Sequence, residues 1–595
     1  MSKRLYSFGP FQLDTGEQIL LRDGRPLPLK PKVFDLLVVL VENSGHVVCK
    51  DELMKQVWAD SFVEEGNLAV SICEIRKVLG GSANGHTYIA TVPRRGYRFV
   101  ASVTEASQQR DGLAVAPSSV IGVSDVYGGF SKGAIAVLPF QSIGASGSEY
   151  LGLGMADALI TKLSNLRRVT VRPTSSIRKY YGSQDPVMAG KELSVEWVLD
   201  GSVRRSGKRI RVTVQLVNVG DGRLVWAERF DEKFTDIFAV EDSISEQVAK
   251  ALGPKLTGEE KRLLGKRYTE NTEAYEAYLK GRYFLDKRTT EGCKKGIEYF
   301  EQAINIDPSY ALAYAGLANC YLVFGGYKLL STMEYNVRAE RAILKALELD
   351  GELAEAHSSL GSLRTRQWDW SAAEKEYKNA IELSPNYAIA HVGYACFLGL
   401  IGRADEAAVE IKRAHEIDPL SLQMNSIKGS LLYLARQYDE AIEQFHRTLA
   451  LDADFAVAHF CLGYAYEAQG KYEEALTAYQ RSRKGLKNLP ELSGCLGRIY
   501  ALSGRRAKGV EAIAELRRLS KKSYLQSYSI ALIYAALGEK EEAFRSLEEA
   551  YAEHDEDLFL IRVDPRLDSL RADPRFASLL QRVGLANSSD LTSSE

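Results

Sequence analysis

The stretch TVPRRGYRF at residues 91–99 carries side chains whose types and spacing suggest chemistry. Arg94 and Arg95 are adjacent and stand directly before Gly96, within a segment that otherwise reads as a pair of β-strands. A plain hairpin does not need two arginines at its tip. Because Arg and Lys supply most protein contacts to phosphate groups, this arrangement predicts an acidic target for the hairpin.

The positive charge around this hairpin is local. The whole chain of 595 residues has a formal net charge of −2, so it is not a polycation. Within residues 67–100, five basic side chains accompany a single acidic one, Glu74, which leaves a local charge of +4. We therefore expect any nucleic-acid surface to be confined to this region.

Other potentially reactive side chains form no recognisable catalytic set. His357, His391 and His459 are 34 and 68 residues apart, which indicates one repeated scaffold position. The seven cysteines are scattered and never in C-x-x-C spacing, and no Ser/His/Asp, His-x-x-x-His or paired-carboxylate motif stands out. We therefore expect that the protein is not an enzyme and holds no metal and no cofactor. The cysteines are expected to be buried apolar residues of a protein in a reducing compartment.

Two glycine pairs depart from the spacing of nucleotide-binding loops. Gly152-x-Gly154 lacks a third glycine and follows its predicted strand by about ten residues, which is too far for a dinucleotide loop. In GEEKRLLGKR (258–267), seven steps separate the glycines where a phosphate loop needs five, and Arg267 replaces the required Ser or Thr. The second stretch is expected to be a charged helix end, which disfavours an ATP-driven switch.

Patterning also predicts the elements that would position the hairpin arginines. Residues 6–29 alternate apolar and polar side chains around turn signals, as in a small antiparallel sheet. Three helical segments follow, namely PKVFDLLVVLVENSG, CKDELMKQVWA and NLAVSICEIRKVLGG. HTYIATVPRRGYRFVASV then reads as two strands joined by the arginine turn. In the return strand Tyr97 and Phe99 alternate with Arg98 and are expected to anchor it on the core, while Gly96 would let the chain leave a tight tip.

The third helix, ending in IRKVLG, and the following TYIATVPRRGYRFV resemble the C-terminal effector domain of OmpR/PhoB-type response regulators and of CadC-type regulators. The resemblance covers residues 5–102 and includes the sheet, the order of the helices and the wing. It associates the domain with phosphorelay signal transduction. It implies that the third helix enters the major groove of double-stranded DNA while the wing touches the adjacent minor groove or backbone.

The resemblance also implies which side chains approach DNA. Those on the exposed face of the third helix would face base edges, where Asn can pair with adenine and Glu can accept from cytosine. Those further along the helix would lie towards phosphates, and the wing and its turn would add further contacts. Glu74 could equally be a solvated helix residue, and Arg98 could pack its stem or pair within the sheet. The expected DNA-contacting residues are Asn67, Ser71, Glu74, Arg76, Lys77, Thr91, Arg94 and Arg95.

Residues 1–103 are expected to form this DNA-binding domain, and residues 104–130, rich in Ser, Gly and Ala without periodicity, a linker. Because the effector-like region begins at residue 5, we expect no receiver domain before it. The 104–130 segment is too polar to be the transmembrane helix that follows this domain in CadC-type proteins. No window approaches 18 consecutive apolar residues, and no signal-peptide core is present, so we expect a cytoplasmic protein without a membrane partner.

Residues 131–257 alternate predicted strands and helices. GAIAVLPF (133–140) is typical of a buried strand and EYLGLGMADALITKLSNL (149–166) of a helix. A strand, a helix, three strands and a closing helix follow, which predicts an α/β layer sandwich. The pattern resembles the N-terminal domain of TolB and the FlgO-like module, which implies a fold and an interaction role rather than a chemistry.

Residues 272–585 repeat with a period of 34. Small side chains allow two helices to cross closely, and large residues beside the crossing fill the groove. The period resembles the tetratricopeptide repeat, a stacked helix–turn–helix unit, and about eight units are expected. A concave helical face would bind a protein or peptide. The small residues that set the period are Gly361, Ala395, Gly429, Gly463, Gly497 and Ala531.

Together these features predict a multidomain chain made of an α+β winged helix–turn–helix, an α/β sandwich and an all-α tetratricopeptide-repeat solenoid. The expected function is a sequence-specific transcription regulator that binds double-stranded DNA, as a homodimer or on tandem sites. Its downstream modules would receive a signal through protein contacts. Two alternatives stay open. One is a scaffold protein whose winged helix makes protein contacts, and the other is an enzyme within residues 131–257.

Overall fold

The structure is a computed structural model in which the chain divides into two compact units, residues 1–121 and 122–595. Each unit is described by itself. The residues that the structure describes are 5–8, 10–15, 19–22, 25–27, 29, 31–57, 68, 71–72, 75–76, 78–79, 88–92, 96–101, 103–106, 131–143, 149–164, 166, 169–182, 185–252, 257–287, 289–326, 332–486, 490–520 and 527–586.

The first unit begins with the small antiparallel sheet predicted from the alternation of apolar and polar residues. Its strands are β1 (Leu5–Phe8), β2 (Phe11–Asp14), β3 (Ile19–Arg22), β4 (Arg25–Leu27) and β8 (Thr104–Ala106), in the order β4-β3-β2-β1-β8. Strand β8 pairs antiparallel with β1. The sheet therefore extends three residues into the segment expected to be linker, because β8 supplies hydrogen-bond partners to the backbone of β1.

Helices and a second sheet complete this unit. Helix α1 (Pro31–Glu42) and helix α2 (Lys50–Val57) flank β5 (Val47–Cys49). The third helix has helical backbone at its described positions between residues 68 and 78. The second sheet has the order β5-β7-β6, with β6 (Ile89–Val92) and β7 (Gly96–Phe99) antiparallel. Sheet, three helices and terminal hairpin form the predicted winged helix–turn–helix.

The middle part of the chain, in the second unit, is built on a mixed six-stranded sheet. Its order is β11-β9-β12-β13-β14, with β10 beside β12, and the β11-β9-β12 pairs are parallel while β12-β13-β14 are antiparallel. The predicted succession of strands and helices is confirmed. The elements are β9 (Ser131–Val137), β10 (Gln141–Ser142), α3 (Glu149–Ser164), β11 (Thr170–Val171), α4 (Thr174–Ile177), α5 (Pro186–Glu192), β12 (Val195–Ser206), β13 (Arg209–Asn218), β14 (Leu224–Lys233) and α6 (Ile237–Leu252).

Gly152 has a packing role, whereas Gly258 starts a helix. A Cβ on Gly152 would lie 1.9 Å from the carbonyl oxygen of Phe140, so only glycine lets α3 approach the end of the sheet this closely. Gly258 begins a short helix, α7 (Gly258–Leu264), which Thr257 and Glu260 cap reciprocally. Thus the GEEKRLLGKR stretch forms a capped, charged helix and its end, as expected.

The rest of the second unit consists of eight antiparallel helix pairs, followed by two 3-10 turns (Glu556–Leu560 and Pro565–Leu570) and α24 (Pro574–Arg582). The paired helices are α8 (Thr272–Leu285), α9 (Thr290–Ile306), α10 (Ala311–Gly326), α11 (Thr332–Leu349), α12 (Ala354–Arg366), α13 (Trp370–Leu383), α14 (Ala388–Leu400), α15 (Ala404–Ile417), α16 (Leu422–Leu434), α17 (Tyr438–Leu451), α18 (Ala456–Ala468), α19 (Tyr472–Ser482), α20 (Pro490–Leu502), α21 (Arg506–Ser520), α22 (Ser527–Leu537) and α23 (Lys540–Ala552).

The small residues of the 34-residue period lie where helices cross. A Cβ on Gly463 would stand 2.3 Å from Tyr479 Cε1, and one on Gly429 would stand 2.5 Å from Phe445 Cε1. Each glycine thus makes room for a fully buried ring from the second helix of its own pair. This confirms the predicted small–large packing of the repeats.

The repeated histidines are structural. His391 Nδ1 lies 2.6 Å from Glu410 Oε2, and its Nε2 lies 3.0 Å from the carbonyl oxygen of Pro385. His459 Nε2 makes the same contact, 3.0 Å from the carbonyl oxygen of Ala453. The imidazole therefore ties a helix to the loop before it, as expected for a scaffold position.

The middle region docks onto the repeats through a buried arginine. Arg172 is 2% exposed, and its Nη1 donates to the carbonyl oxygens of Glu416 and Ile417 at 2.6 and 2.8 Å. These carbonyls end α15 and have no partner within their helix, so the guanidinium satisfies them. Asp418 follows and accepts from Ser175 Oγ at 2.6 Å. Polar contacts therefore join the sheet region to the fourth helix pair.

Candidate nucleic-acid interface

The candidate interface combines the third helix of the first unit with the β6–β7 wing. Of the eight expected DNA-contacting residues, Ser71, Arg76 and Thr91 belong to the described part of the chain. The other five lie outside the described residues, and they are Asn67, Glu74, Lys77, Arg94 and Arg95.

The buried face of the third helix is the one predicted from its apolar residues. Its inward side chains are 0–3% exposed and pack into the same core as Phe8, Phe11 and Phe99. Ser71 lies at the edge of this face and is half-buried. The apolar residues that fix the helix on the core are Leu68, Ile72, Ile75 and Leu79.

Arg76 joins the third helix to the wing. Its Nη2 donates to Thr91 Oγ1 at 2.7 Å and to the carbonyl oxygen of Ile89 at 2.9 Å, and its Nε donates to the same carbonyl at 3.2 Å. Arg76, which was expected to lie towards phosphates, and Thr91, which was expected to contact DNA from the wing, are thus hydrogen-bonded to each other. This geometry fixes the position of β6 relative to the helix, a role that sequence reasoning missed because it depends on a contact between residues 15 positions apart.

The wing is a short hairpin anchored by the predicted alternation. Tyr97 and Phe99 are 8% and 0% exposed, whereas Arg98 between them is exposed. Phe99 packs edge-on against Phe8, with ring centroids 5.0 Å apart. Thr91 of β6 pairs with Tyr97 of β7. Arg98 therefore adds an exposed cation to the wing, next to the expected contact residues.

Gly96 has a different role from the one predicted. It lies in β7 opposite Cys49 of β5, and a Cβ there would stand 2.0 Å from the carbonyl oxygen of Val48. The close approach of β5 and β7, rather than the turn, therefore requires glycine at this position. β7 is thus held close to β5 at the residue that follows the two arginines in sequence.

The described residues contain neither a candidate membrane span nor a candidate metal site. Across these residues, no helix combines the length and apolar character needed to cross a bilayer. Within the same part of the chain, no group of three or more His, Cys, Asp or Glu side chains is arranged to hold a metal ion.

Comparison with protein families matches three segments of the chain. Residues 24–99 match the model described as "Transcriptional regulatory protein, C terminal". Residues 131–247 match "HilA/YgeH-like transcriptional regulator, second domain", and residues 428–488 match a tetratricopeptide repeat. The middle match is to the HilA/YgeH-like domain, so the expected resemblance to TolB is not confirmed.

Several curated proteins are similar to the chain. The transcriptional regulator HilA of Salmonella typhimurium is 24% identical over 422 residues, which is 70% of this chain and 71% of HilA. The transcriptional activator CadC of Escherichia coli is 42% identical over 89 residues, or 15% of this chain and 17% of CadC. A protein of Rhizobium meliloti named putative adenylate cyclase 3 is 31% identical over 233 residues, or 39% of this chain and 40% of that protein.

Among solved structures, the DNA-binding domain of E. coli CadC is 35% identical and covers 18% of this chain and 98% of that domain, with a TM-score of 0.17. The family matches place an OmpR/PhoB-type domain at residues 24–99 and tetratricopeptide repeats near the C-terminus. The chain is thus homologous to HilA- and CadC-like regulators and is a DNA-binding transcription regulator with protein-interaction repeats.

Proposed function

We propose that the chain recognises specific sites in double-stranded DNA through the third helix and wing of its first unit. A protein or peptide bound by its repeats would control that recognition. The observation that carries this proposal is the OmpR/PhoB-type match at residues 24–99, which covers the helix, Arg76 and the wing. The homologous HilA-type second domain and the repeats would form the receiving part of the protein.

Within the interface, we propose a division of labour among the expected contact residues. At 3.6 residues per turn, positions 67, 71 and 74 fall on one side of the apolar face of the third helix, and position 76 falls on the other. Asn67, Ser71 and Glu74 would then read base edges. Arg76 faces the wing, which supports a role in positioning Thr91 and the hairpin.

Arg94 and Arg95 would be the main phosphate contacts. In the sequence they lie between Val92 and Gly96, which are paired across the two strands of the wing. Lys77 would add a contact from the helix. Such contacts determine position and salt dependence, whereas base contacts determine sequence preference.

Two copies on adjacent half-sites would account for selective binding. One winged helix reads few base pairs, and dimers of such domains bind half-sites about one helical turn apart. We propose that the repeats receive a protein partner and change how two DNA-binding units assemble. We further propose that the chain acts without enzymatic turnover, which an assay of ATP consumption by the purified protein would check.

The proposed function is tested by selecting bound fragments from a genomic library with the intact protein and measuring their affinity against salt. Recovery of a common sequence element, with a Kd that rises with salt, is the expected result. The alternative scaffold function predicts no enriched element and no DNA affinity beyond that of an unrelated acidic protein. A footprint that covers two half-sites would support the dimer, and a single half-site would contradict it.

A further inference from the structure

Part of the inner face of the repeats is covered by the chain itself. The first helices of successive pairs, α10, α12, α14, α16 and α18, each contact the next, which makes them the inner row of the superhelix. After α23, the chain turns back as residues 554–571, which include both 3-10 turns. We call residues 554–571 the return segment. Four of its apolar side chains are 0–1% exposed, and they are Leu558, Ile561, Leu567 and Leu570.

The return segment contacts helix pairs far from its own position. Near its start, Glu556 accepts a hydrogen bond from the Tyr335 hydroxyl of α11 and lies 3.6 Å from Arg366 of α12. Further along, Arg436, which follows α16, donates to the carbonyl oxygen of Val563 at 2.7 Å. The segment therefore runs past helix ends and turns of the second, third and fifth helix pairs.

An arginine–carboxylate pair anchors its middle. Arg566 and Asp564 form an ion pair at 2.7 Å, and Asp564 is 1% exposed. The Arg566 guanidinium stands 4.5 Å from the ring centroid of Tyr464 in α18. The Tyr528 hydroxyl of α22 donates to Asp564 at 2.8 Å. Both charges of the pair thus have partners on the first helices of the sixth and eighth pairs, which is what burial of an ion pair requires.

The turns within the helix pairs give independent support. In the turns of the third to the eighth pair, one residue has a left-handed backbone, with φ between 60° and 83°, where side chains are rarely found. These positions are 34 residues apart, and four of the six carry glycine. The two exceptions are a tryptophan and an arginine. The six positions are Trp368, Gly402, Arg436, Gly470, Gly504 and Gly538.

Both exceptions contact the return segment. The Trp368 ring stacks on His554 with ring centroids 3.8 Å apart, and Arg436 also donates to Asp568 at 2.8 Å. At Gly402, a Cβ would lie 3.0 Å from Arg562 Nε of the segment. At the three later glycines, a Cβ would have no neighbour within 4 Å in the described structure. Side chains therefore replace glycine only at turns that the return segment passes.

The sequence of the return segment shows which side chains its contact surface on the repeats accepts. DPRLDSL (564–570) is followed by DPRFASL (573–579), so the pattern Asp-Pro-Arg-apolar-x-Ser-Leu occurs twice. In the second copy Arg575 pairs with Asp573 at 2.9 Å and lies over the Phe544 ring at 4.1 Å. In both copies the aspartate caps the start of a helical element, a 3-10 turn in the first and α24 in the second, and the arginine lies over an aromatic ring. We call this pattern the Asp-Pro-Arg box.

We propose that the inner face of the repeats is a binding site for an Asp-Pro-Arg box and that the return segment occupies this site in cis. A protein partner that uses this face would have to present an arginine–carboxylate pair followed by leucines, and would displace the segment. The requirement for a partner rests on the proposed function, whereas occupation of the face by the segment does not. Because a tethered ligand acts at millimolar effective concentration, the free site is exposed only rarely.

The test uses the full chain and a labelled peptide of residues 553–573, with binding followed by fluorescence anisotropy. The Asp564→Ala/Arg566→Ala variant weakens the cis ligand and leaves the site intact, so it should bind the peptide at least tenfold more tightly than wild type. A peptide with the same two substitutions should not compete. The matched control is Asp573→Ala/Arg575→Ala, which alters the second box and should behave as wild type.

Equal peptide binding by wild type and the Asp564→Ala/Arg566→Ala variant would overturn the proposal, provided that circular dichroism shows a folded variant. If that variant unfolds, Arg436→Gly gives a second readout, because glycine suits the left-handed turn. Hydrogen exchange of residues 556–571 should then rise at least fivefold, and unchanged exchange would refute the cis occupation. If the peptide binds but pull-downs recover no protein partner, the proposal that the return segment occupies the site in cis stands. The proposed function of the repeats in binding a partner is then rejected.

Discussion

Arg76 offers the sharpest test of how the helix and wing act together. Replacement by alanine removes the three hydrogen bonds to Ile89 and Thr91. Hydrogen bonds from charged donors contribute up to about 3 kcal/mol each, but these bonds are partly exposed and share one side chain, so we expect a local loss of about 1–2 kcal/mol. That loss corresponds to about a 5- to 30-fold change in the population of an opened wing.

Hydrogen exchange measured by mass spectrometry reports this opening directly. Amides of β6 and β7 in Arg76→Ala should exchange about 5- to 30-fold faster than in wild type, while exchange in α1 stays unchanged. DNA affinity should fall at every salt concentration by a similar factor, with the salt slope preserved. Arg76→Lys is the matched control, because it keeps the charge and loses the planar fork of the guanidinium.

The positioning role of Arg76 predicts that both variants lose affinity. A phosphate contact predicts a different result, in which Arg76→Lys binds nearly as well as wild type and Arg76→Ala lowers the salt slope by about 1. Unchanged exchange of the wing together with that lower slope would refute the positioning argument.

Two further predictions concern the second unit. Burial raises the pKa of Glu241 to about 7, so the buried carboxyl favours its protonated form and destabilises the fold as pH rises from about 4.5 to 7. The free energy of unfolding of Glu241→Gln, relative to that of wild type, should therefore rise by about 2–3 kcal/mol between pH 5 and pH 8. A difference in melting temperature between the two proteins that is independent of pH would contradict this. Gly463→Ala would push a methyl group into the Tyr479 ring and should cost about 1–3 kcal/mol in urea unfolding. Combining it with Tyr479→Leu should cost less than the sum of the single changes, and strict additivity would argue against the crossing.

The local features of the fold were predictable because they depend on short-range patterns. The alternation of Tyr97, Arg98 and Phe99 predicted which side of the wing packs on the core, and the burial of these residues confirms it. The 34-residue period predicted the helix crossings, since a glycine such as Gly463 must face a large ring. Both signals arise from geometry that repeats along the chain.

Long-range contacts could not be predicted in the same way. Gly96 is required by the backbone of β5, and Arg76 bonds to the wing, and neither neighbour is close in sequence. The return segment was also missed, although a signal was present. Trp368 and Arg436 interrupt a regular series of turn glycines, and an exception of this kind in a repeat indicates a contact outside the repeat.

The central claim is that the wing carries a DNA-binding surface, and its most direct test is the salt dependence of binding by the intact protein. The variant Arg94→Ala/Arg95→Ala should bind more weakly across many sequences and lower the salt slope by about 2. The control Arg447→Ala/Arg518→Ala removes two exposed, ion-paired cations from the repeats and should leave the slope unchanged. Wild-type affinity and slope in the wing variant would contradict the account.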